Sequence, residues 1–214
     1  MSKYVSQFLS LKCAGDVLNN VLPINKPVKE ITEAMAIVQR MKEVFLSNPM
    51  KYRLFDVGAG NALGSILAIH LLPVSWATAI DKKPVERKRK ISRFDYLKAE
   101  IGTEEGNEYI KSLWPSLNKD SLTVLMSIHC CTDLALQVIS LYHKVEWIKH
   151  LYLMPCCIKQ GHQQPVPTAF QDRFTKYERW AWFLANKANG TLYQDKHCLS
   201  PANIIIEAHK EEGE

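Results

Sequence analysis

The chain is predicted to be an α/β protein with a doubly wound, mainly parallel sheet, and three observations carry that prediction. Short apolar runs alternate with segments of helical periodicity from about residue 50 onward. One run, Leu54 to Val57, passes at once into the glycine cluster Gly58-Ala59-Gly60 and then into an apolar-periodic segment, Ser65 to Leu72, which reads as strand, tight turn, helix. The last two apolar runs, Thr191 to Tyr193 and Ala202 to Ala208, follow one another as an antiparallel ending.

At 214 residues the chain bounds one such domain with a sizeable core. Hydrophobic residues at 47% and charged residues at 23% are ordinary for a globular protein and exclude a low-complexity or fibrous class. The formal net charge of +5 permits a nucleic-acid partner without requiring one. No apolar run reaches membrane-spanning length and the N-terminus lacks a signal pattern, so a cytoplasmic, reducing setting is expected, with no membrane partner. The six cysteines (Cys13, Cys130, Cys131, Cys156, Cys157 and Cys198) include two adjacent pairs at the ends of apolar runs. They read as thiols near a site or small buried side chains, not as a secreted disulfide framework.

In chain order, residues 1–49 read as a helical extension packed on the sheet. A loose apolar face (Tyr4, Val5, Phe8, Leu9) runs up to Gly15 as a breaker, and Pro23 and Pro27 bracket a linker. A helix follows from Val28 to Leu46, ended by Asn48-Pro49. The first strand closes on Asp56, and Gly58 and Gly60 permit backbone angles that a Cβ forbids. Helix N–H groups then face whatever the loop holds. Trp76 to Asp81 reads as a second strand ending in an acid. A basic run follows (Lys82, Lys83, Arg87, Lys88, Arg89, Lys90, Arg93), expected on a short helix as a solvated face or a phosphate-binding patch. Ile91 to Leu97 reads as the third strand, Ser121 to Ile128 as the fourth, and Trp147 to Met154 as the fifth, ending at Pro155-Cys156-Cys157. A helix capped by Thr132 or Asp133 separates the last two. Phe170 to Asn189 forms an aromatic-rich amphipathic helix, with Trp180 and Phe183 assigned to the core.

Two details narrow the loop's ligand. The third glycine of a dinucleotide fingerprint sits one place late, at Gly64, and Asp56 would repel a pyrophosphate. The same acid suits an ammonium and a sulfonium, while Asp81 is placed for ribose hydroxyls. This pattern fits S-adenosylmethionine (SAM) better than NAD; the bland alternative is a glycine turn in an ordinary α/β protein.

On Asp56 to Gly64 and Asp81, the chain resembles the class I SAM-dependent methyltransferases. The resemblance implies a Rossmann-like sheet of seven strands over residues 50–214. It also implies a cofactor held by Asp56, Gly58, Ala59, Gly60, Asn61, Gly64, Asp81, Lys82, Phe94, Asp95, Tyr96, Ser127 and His129. The stretches His129-Cys130-Cys131-Thr132-Asp133 and Pro155-Cys156-Cys157 are similar to a subgroup that includes the tRNA 2′-O-methyltransferases of the Trm thirteen type. That likeness is partial, because Cys130 directly follows His129. It implies RNA as partner and methyl acceptor, at a ribose hydroxyl or a base.

In open α/β sheets the ligand lies outside the carboxyl ends of the strands, which brings these two stretches together. His129 is the candidate base, with Asp133 orienting it or acting itself, and a structural histidine and a helix cap are the alternatives. Lys88, Arg89, Lys90, Cys156, Cys157, Lys159 and His162 are the candidate substrate contacts. A zinc set from His129, Cys130, Cys156, Cys157 and His162 is disfavoured, since adjacent cysteines point apart and C-x-x-C spacing is absent, so no metal is expected. The rival functions are methylation of a protein side chain or small molecule, and an inactive partner subunit with this fold.

Overall fold

Successive residues of a buried strand face opposite ways, and the two cores of the molecule follow from that. In the computed structural model, which describes residues 2–21, 23–83, 90–112, 122–156 and 173–210, β1 (Tyr52–Val57) sends Leu54 into one core and Phe55 and Val57 into the other. β4 (Leu122–Cys130) divides likewise, with Val124 and Met126 on the first side and Leu125 and Cys130 on the second.

The remaining strands are β2 (Ala77–Asp81), β3 (Phe94–Lys98), β5 (Ile148–Pro155), β6 (Thr191–Gln194) and β7 (Ile204–His209). Among the described residues they form one seven-stranded sheet in the order β3-β2-β1-β4-β5-β7-β6. β1 to β5 run parallel, and β7 runs antiparallel to both β5 and β6. The doubly wound, Rossmann-like architecture expected from the sequence is therefore the observed one. Its strand order reverses between β1 and β4, where a crevice opens at the carboxyl ends.

Helices cover both faces. α1 (Lys3–Leu9), α2 (Ala14–Val21), α3 (Pro27–Ser47) and α4 (Leu63–Leu71) pack on the first core, and α5 (Glu104–Ser112), α6 (Thr132–Lys144) and α7 (Lys176–Ala188) lie on the second side. α4 buries Leu63 to Ile69 without a polar face, because α2 and α3 lie over it. α3 is pinned to the far edge of the sheet by a paired Arg40 and Glu207, with the Tyr193 ring 4.2 Å below the guanidinium. α1 is tied down by Tyr4, whose hydroxyl donates to Asp195 over 2.6 Å.

Several local expectations change. Gly15 is the second residue of α2, not a breaker: its α-carbon faces open space, so the helix bears only the ~1 kcal/mol entropic cost of glycine. β3 begins three residues later than the apolar run suggested. Arg93 turns the chain at φ +59° and donates to the carbonyls of Val74 (2.5 Å) and Ile69 (3.3 Å), so this member of the basic run is structural. Residues 90–93 are not helical, and residues 84–89 lie outside the described set. α6 is preceded by Cys131 with no side-chain cap, since Thr132 is itself the first helical residue and is buried. α7 starts at Lys176, where Thr175 and Glu178 form a reciprocal capping box. Residues 170–172 of the expected helix lie outside the described residues.

Candidate active site

The bend after β1 is built from left-handed residues: Gly58 (φ +68°), Gly60 (φ +54°) and Ala62 (φ +59°). A Cβ on Gly58 would stand 3.0 Å from Leu134 of α6, so the bare backbone is required by packing as well as by conformation. Asp81, at the end of β2, accepts from the Gly60 N–H (3.0 Å) and the Lys83 N–H (2.9 Å), which fixes the loop to the neighbouring strand. Tyr96 donates its hydroxyl hydrogen to the Gly60 carbonyl. Asn61 accepts from the Leu63 N–H and donates to Glu30 of α3 (3.0 Å), so the loop is braced from both sides.

Two cavities meet at Gly58. The larger, about 680 Å³, runs between the loop and the N-terminal half of α3 and is lined by Asp56, Gly60, His129, Cys156, Lys29 and Glu33, among others. The smaller, about 170 Å³, lies beside Asp81 and Lys82, under Ala99, Ile101, Leu134 and Gln137. Both are walled mainly by apolar surface with charged groups set into it: Asp56, Glu33, Lys29 and His129 in the larger, Asp81, Lys82 and Glu100 in the smaller. Such a pair of spaces suits an elongated ligand with a charged end and a flat ring system.

Asp56 sits at the floor of the larger cavity and is 2% exposed. Burial pushes its carboxyl up to about 7, against the hydrogen bond donated by Ser65 (2.5 Å), with Asp81 adding repulsion. A buried acid held this close to neutrality is primed for a cation.

His129 occupies the end of β4 at φ +61°, an uncommon conformation for a residue with a Cβ and one that clusters at functional sites. Its Nε2 lies 2.5 Å from Oε2 of Glu33, which is wholly buried and has Lys29 3.6 Å from its other oxygen. Neither Glu33 oxygen receives a directed hydrogen bond. The carboxylate facing His129 thus comes from α3. Asp133, expected in that role, is exposed in the first turn of α6 and does not line either cavity.

A methyltransferase-domain family model matches residues 26–164. The chain belongs to that methyltransferase family. No curated protein matches its sequence. Similar solved structures include an O-methyltransferase family protein from Burkholderia thailandensis (12% identity, TM-score 0.47) and human N-acetylserotonin methyltransferase in complex with SAM (12%, 0.41). Each alignment takes in 98% of this chain but only 63% and 62% of the other, so the chain spans less than two thirds of either.

The candidate site departs from the sequence expectation in placement. Asp56, Gly58, Ala59, Gly60, Asn61, Gly64 and His129 line the larger cavity, and Asp81 and Lys82 the smaller. Gly64 also lets α4 close on β4, where a Cβ would meet Met126 and Ile128 at 2.9 Å. Phe94 and Asp95 are corrected, because they begin β3 and so lie at the opposite end of the strand from the crevice. Phe94 is buried, and Asp95 accepts from the Trp76 indole (3.0 Å). The β3 end is instead Ala99 to Ile101, and Tyr96 braces the loop. Ser127 is corrected too: buried, it donates to the Val57 carbonyl (2.6 Å) and lines neither cavity.

Cys156 lines the larger cavity and is bonded to Cys131, where separate thiols were expected. Parallel pairing of β4 and β5 is what brings the two together. Cys130 is buried on the opposite core, its thiol pushed up to about 12, so it does not join His129 in a ligand set. Lys90 is exposed beside β3, whereas Lys88, Arg89, Cys157, Lys159 and His162 lie outside the described residues.

Sequence reasoning missed Glu33 and the α3 wall. The signal was present, as a single acid inside the apolar stretch Ile31 to Val38, with Lys29 one turn before it.

Proposed function

We propose that the protein is a SAM-dependent methyltransferase whose acceptor is deprotonated by His129, with structured RNA such as tRNA as the acceptor class. The observation that carries the cofactor half is the pair Asp56 and Asp81 bracketing a left-handed glycine bend in a chain of the methyltransferase family. The residues fit the group. Asp56 offers a buried carboxyl to the ammonium and sulfonium, Asp81 accepts from ribose hydroxyls, and the space under Ala99, Ile101 and Leu134 takes the adenine. SAM, when bound, would supply an electrophilic methyl group.

The chain's own residues then act on the acceptor. A hydroxyl or amine acceptor seated against His129 would give its proton to the imidazole. The resulting imidazolium lies against the wholly buried Glu33 carboxylate, whose charge favours the protonated ring. Alignment of acceptor and donor supplies much of the remaining acceleration.

Replacing Asp81 by Ala is expected to weaken SAM binding about 10- to 100-fold in calorimetry, since it removes a charged hydrogen-bond acceptor and frees the loop at Gly60. Unchanged affinity sinks the cofactor assignment.

RNA is favoured by the basic residues from Lys82 to Lys90 and by the resemblance carried by the His129 to Asp133 and Pro155-Cys156-Cys157 stretches. Replacing Lys88, Arg89 and Lys90 together by Ala is expected to lower affinity for total tRNA and to flatten its dependence on salt. The same affinity at every salt concentration returns the acceptor to a protein side chain or small molecule. Incubation with labelled SAM and separate RNA and protein fractions identifies the acceptor directly.

A further inference from the structure

The turn after β4 and the end of β5 are joined through Cys131 and Cys156, across a Cα–Cα separation of 5.5 Å. That span lies inside the range of about 4.4–6.8 Å that a disulfide bridges without moving backbone. Burial distinguishes the cysteines described at this edge. Cys130 is enclosed and its thiol is held protonated, which makes it inert. Cys131 and Cys156 are half-buried, and Cys156 alone of the three lines the larger cavity. Both sulfurs stand against the carbonyl oxygen of His129, at 3.5 Å and 3.3 Å.

We propose that Cys131 and Cys156 form a reversible thiol-oxidation site in the wall of the ligand cavity, with Cys156 the thiol that meets the oxidant. Occupancy of the cavity decides whether it is reached. With a low-molecular-weight disulfide as oxidant, the Cys156 thiolate attacks one sulfur and expels one thiolate. The Cys131 thiolate then attacks the Cys156 sulfur and expels the second. Two protein thiols lose two protons and two electrons, and the oxidant leaves as two thiols. A dithiol reductant reverses the sequence. Closure ties the two segments that carry His129 and the cavity wall, so thiol state and ligand binding act on the same few residues.

The full-length chain, reduced and desalted, is incubated with oxidised glutathione with and without saturating SAM, then alkylated and read by mass spectrometry. The expected product is two hydrogens lighter, linked between Cys131 and Cys156, and formed several-fold more slowly with SAM present. Cys131→Ser should stop at a glutathione adduct on Cys156, while Cys130→Ser should bridge like the native chain. A Cys131→Ser protein that takes up no glutathione, or a bridge formed equally fast with SAM shown by calorimetry to be bound, overturns the proposal. The protection arm rests on the cofactor assignment. If calorimetry detects no SAM binding, that assignment falls, and the adduct on Cys156 still decides the thiol pair.

Discussion

Replacing His129 by Ala is expected to reduce the rate of methyl transfer about 10²- to 10⁴-fold while SAM affinity stays within about threefold. The split follows from the geometry. His129 stands where β4 ends in the larger cavity, with its Nε2 against Glu33, and it is neither of the two acids that the proposal assigns to the cofactor. The roughly 1–2 kcal/mol of strain at φ +61° belongs to any residue with a Cβ, so the native histidine already bears it and Ala bears it too. His129→Asn is the companion variant: Asn adopts this conformation readily but offers no basic nitrogen. If both variants are slow and both bind SAM, the imidazole is the base. If Asn restores the rate, His129 serves the turn and not the chemistry.

Glu33→Gln separates the same two readings from the other side. It keeps the side-chain shape but removes the charge that compensates an imidazolium, so transfer should slow with little change in the midpoint of thermal unfolding. An unfolding midpoint that drops while the rate per folded molecule is unchanged would make the pair structural.

The sheet was legible from sequence because its signals are local. Apolar runs of strand length and the glycine bend each occupy fewer than a dozen consecutive residues, the two strands of the terminal hairpin follow one another directly, and the parallel order follows from the alternation of strands with helices. The positions of Asp56 and Asp81 were legible for the same reason, since each lies at the carboxyl end of its own strand. What was misplaced depends on register or on distant partners. Phe94 and Asp95 read as strand-end residues until Arg93 is seen to spend its side chain on Val74 and Ile69, which delays β3 and leaves Ala99 to Ile101 to line the smaller cavity. Ser127 looks like a ligand contact until its hydroxyl is found on Val57. The Glu33–His129 pair spans 96 positions and exists only because α3 lies across the β4 end; neither residue names the other in sequence.

Asp56→Asn is expected to make the unliganded protein more stable at pH 8 and to abolish most of the pH dependence of SAM binding. Burial raises this carboxyl from 3.8 to about 7. Because the folded form holds its proton more tightly than the unfolded chain, stability is fully present below about pH 4 and declines as pH rises towards 7. The decline is on the order of a few kcal/mol, which Asn, unable to ionise, does not incur. Ser65 can still donate to the Asn oxygen, so the local hydrogen bond survives the change. SAM binding has the opposite dependence. An ammonium or sulfonium favours the ionised carboxylate, so between pH 5 and 7 affinity should rise by up to about tenfold per pH unit, with proton release on binding. Calorimetry in two buffers of different ionisation enthalpy measures that release directly. In Asp56→Asn the release disappears and affinity at pH 8 falls, while the melting temperature at that pH rises. A variant that loses stability at pH 8, or keeps the native pH slope, would mean that the acid at the cavity floor is held by the fold and does not face the cation. The gain in stability and the loss of binding have one origin: a carboxylate kept in a place where only a cationic ligand makes its charge favourable.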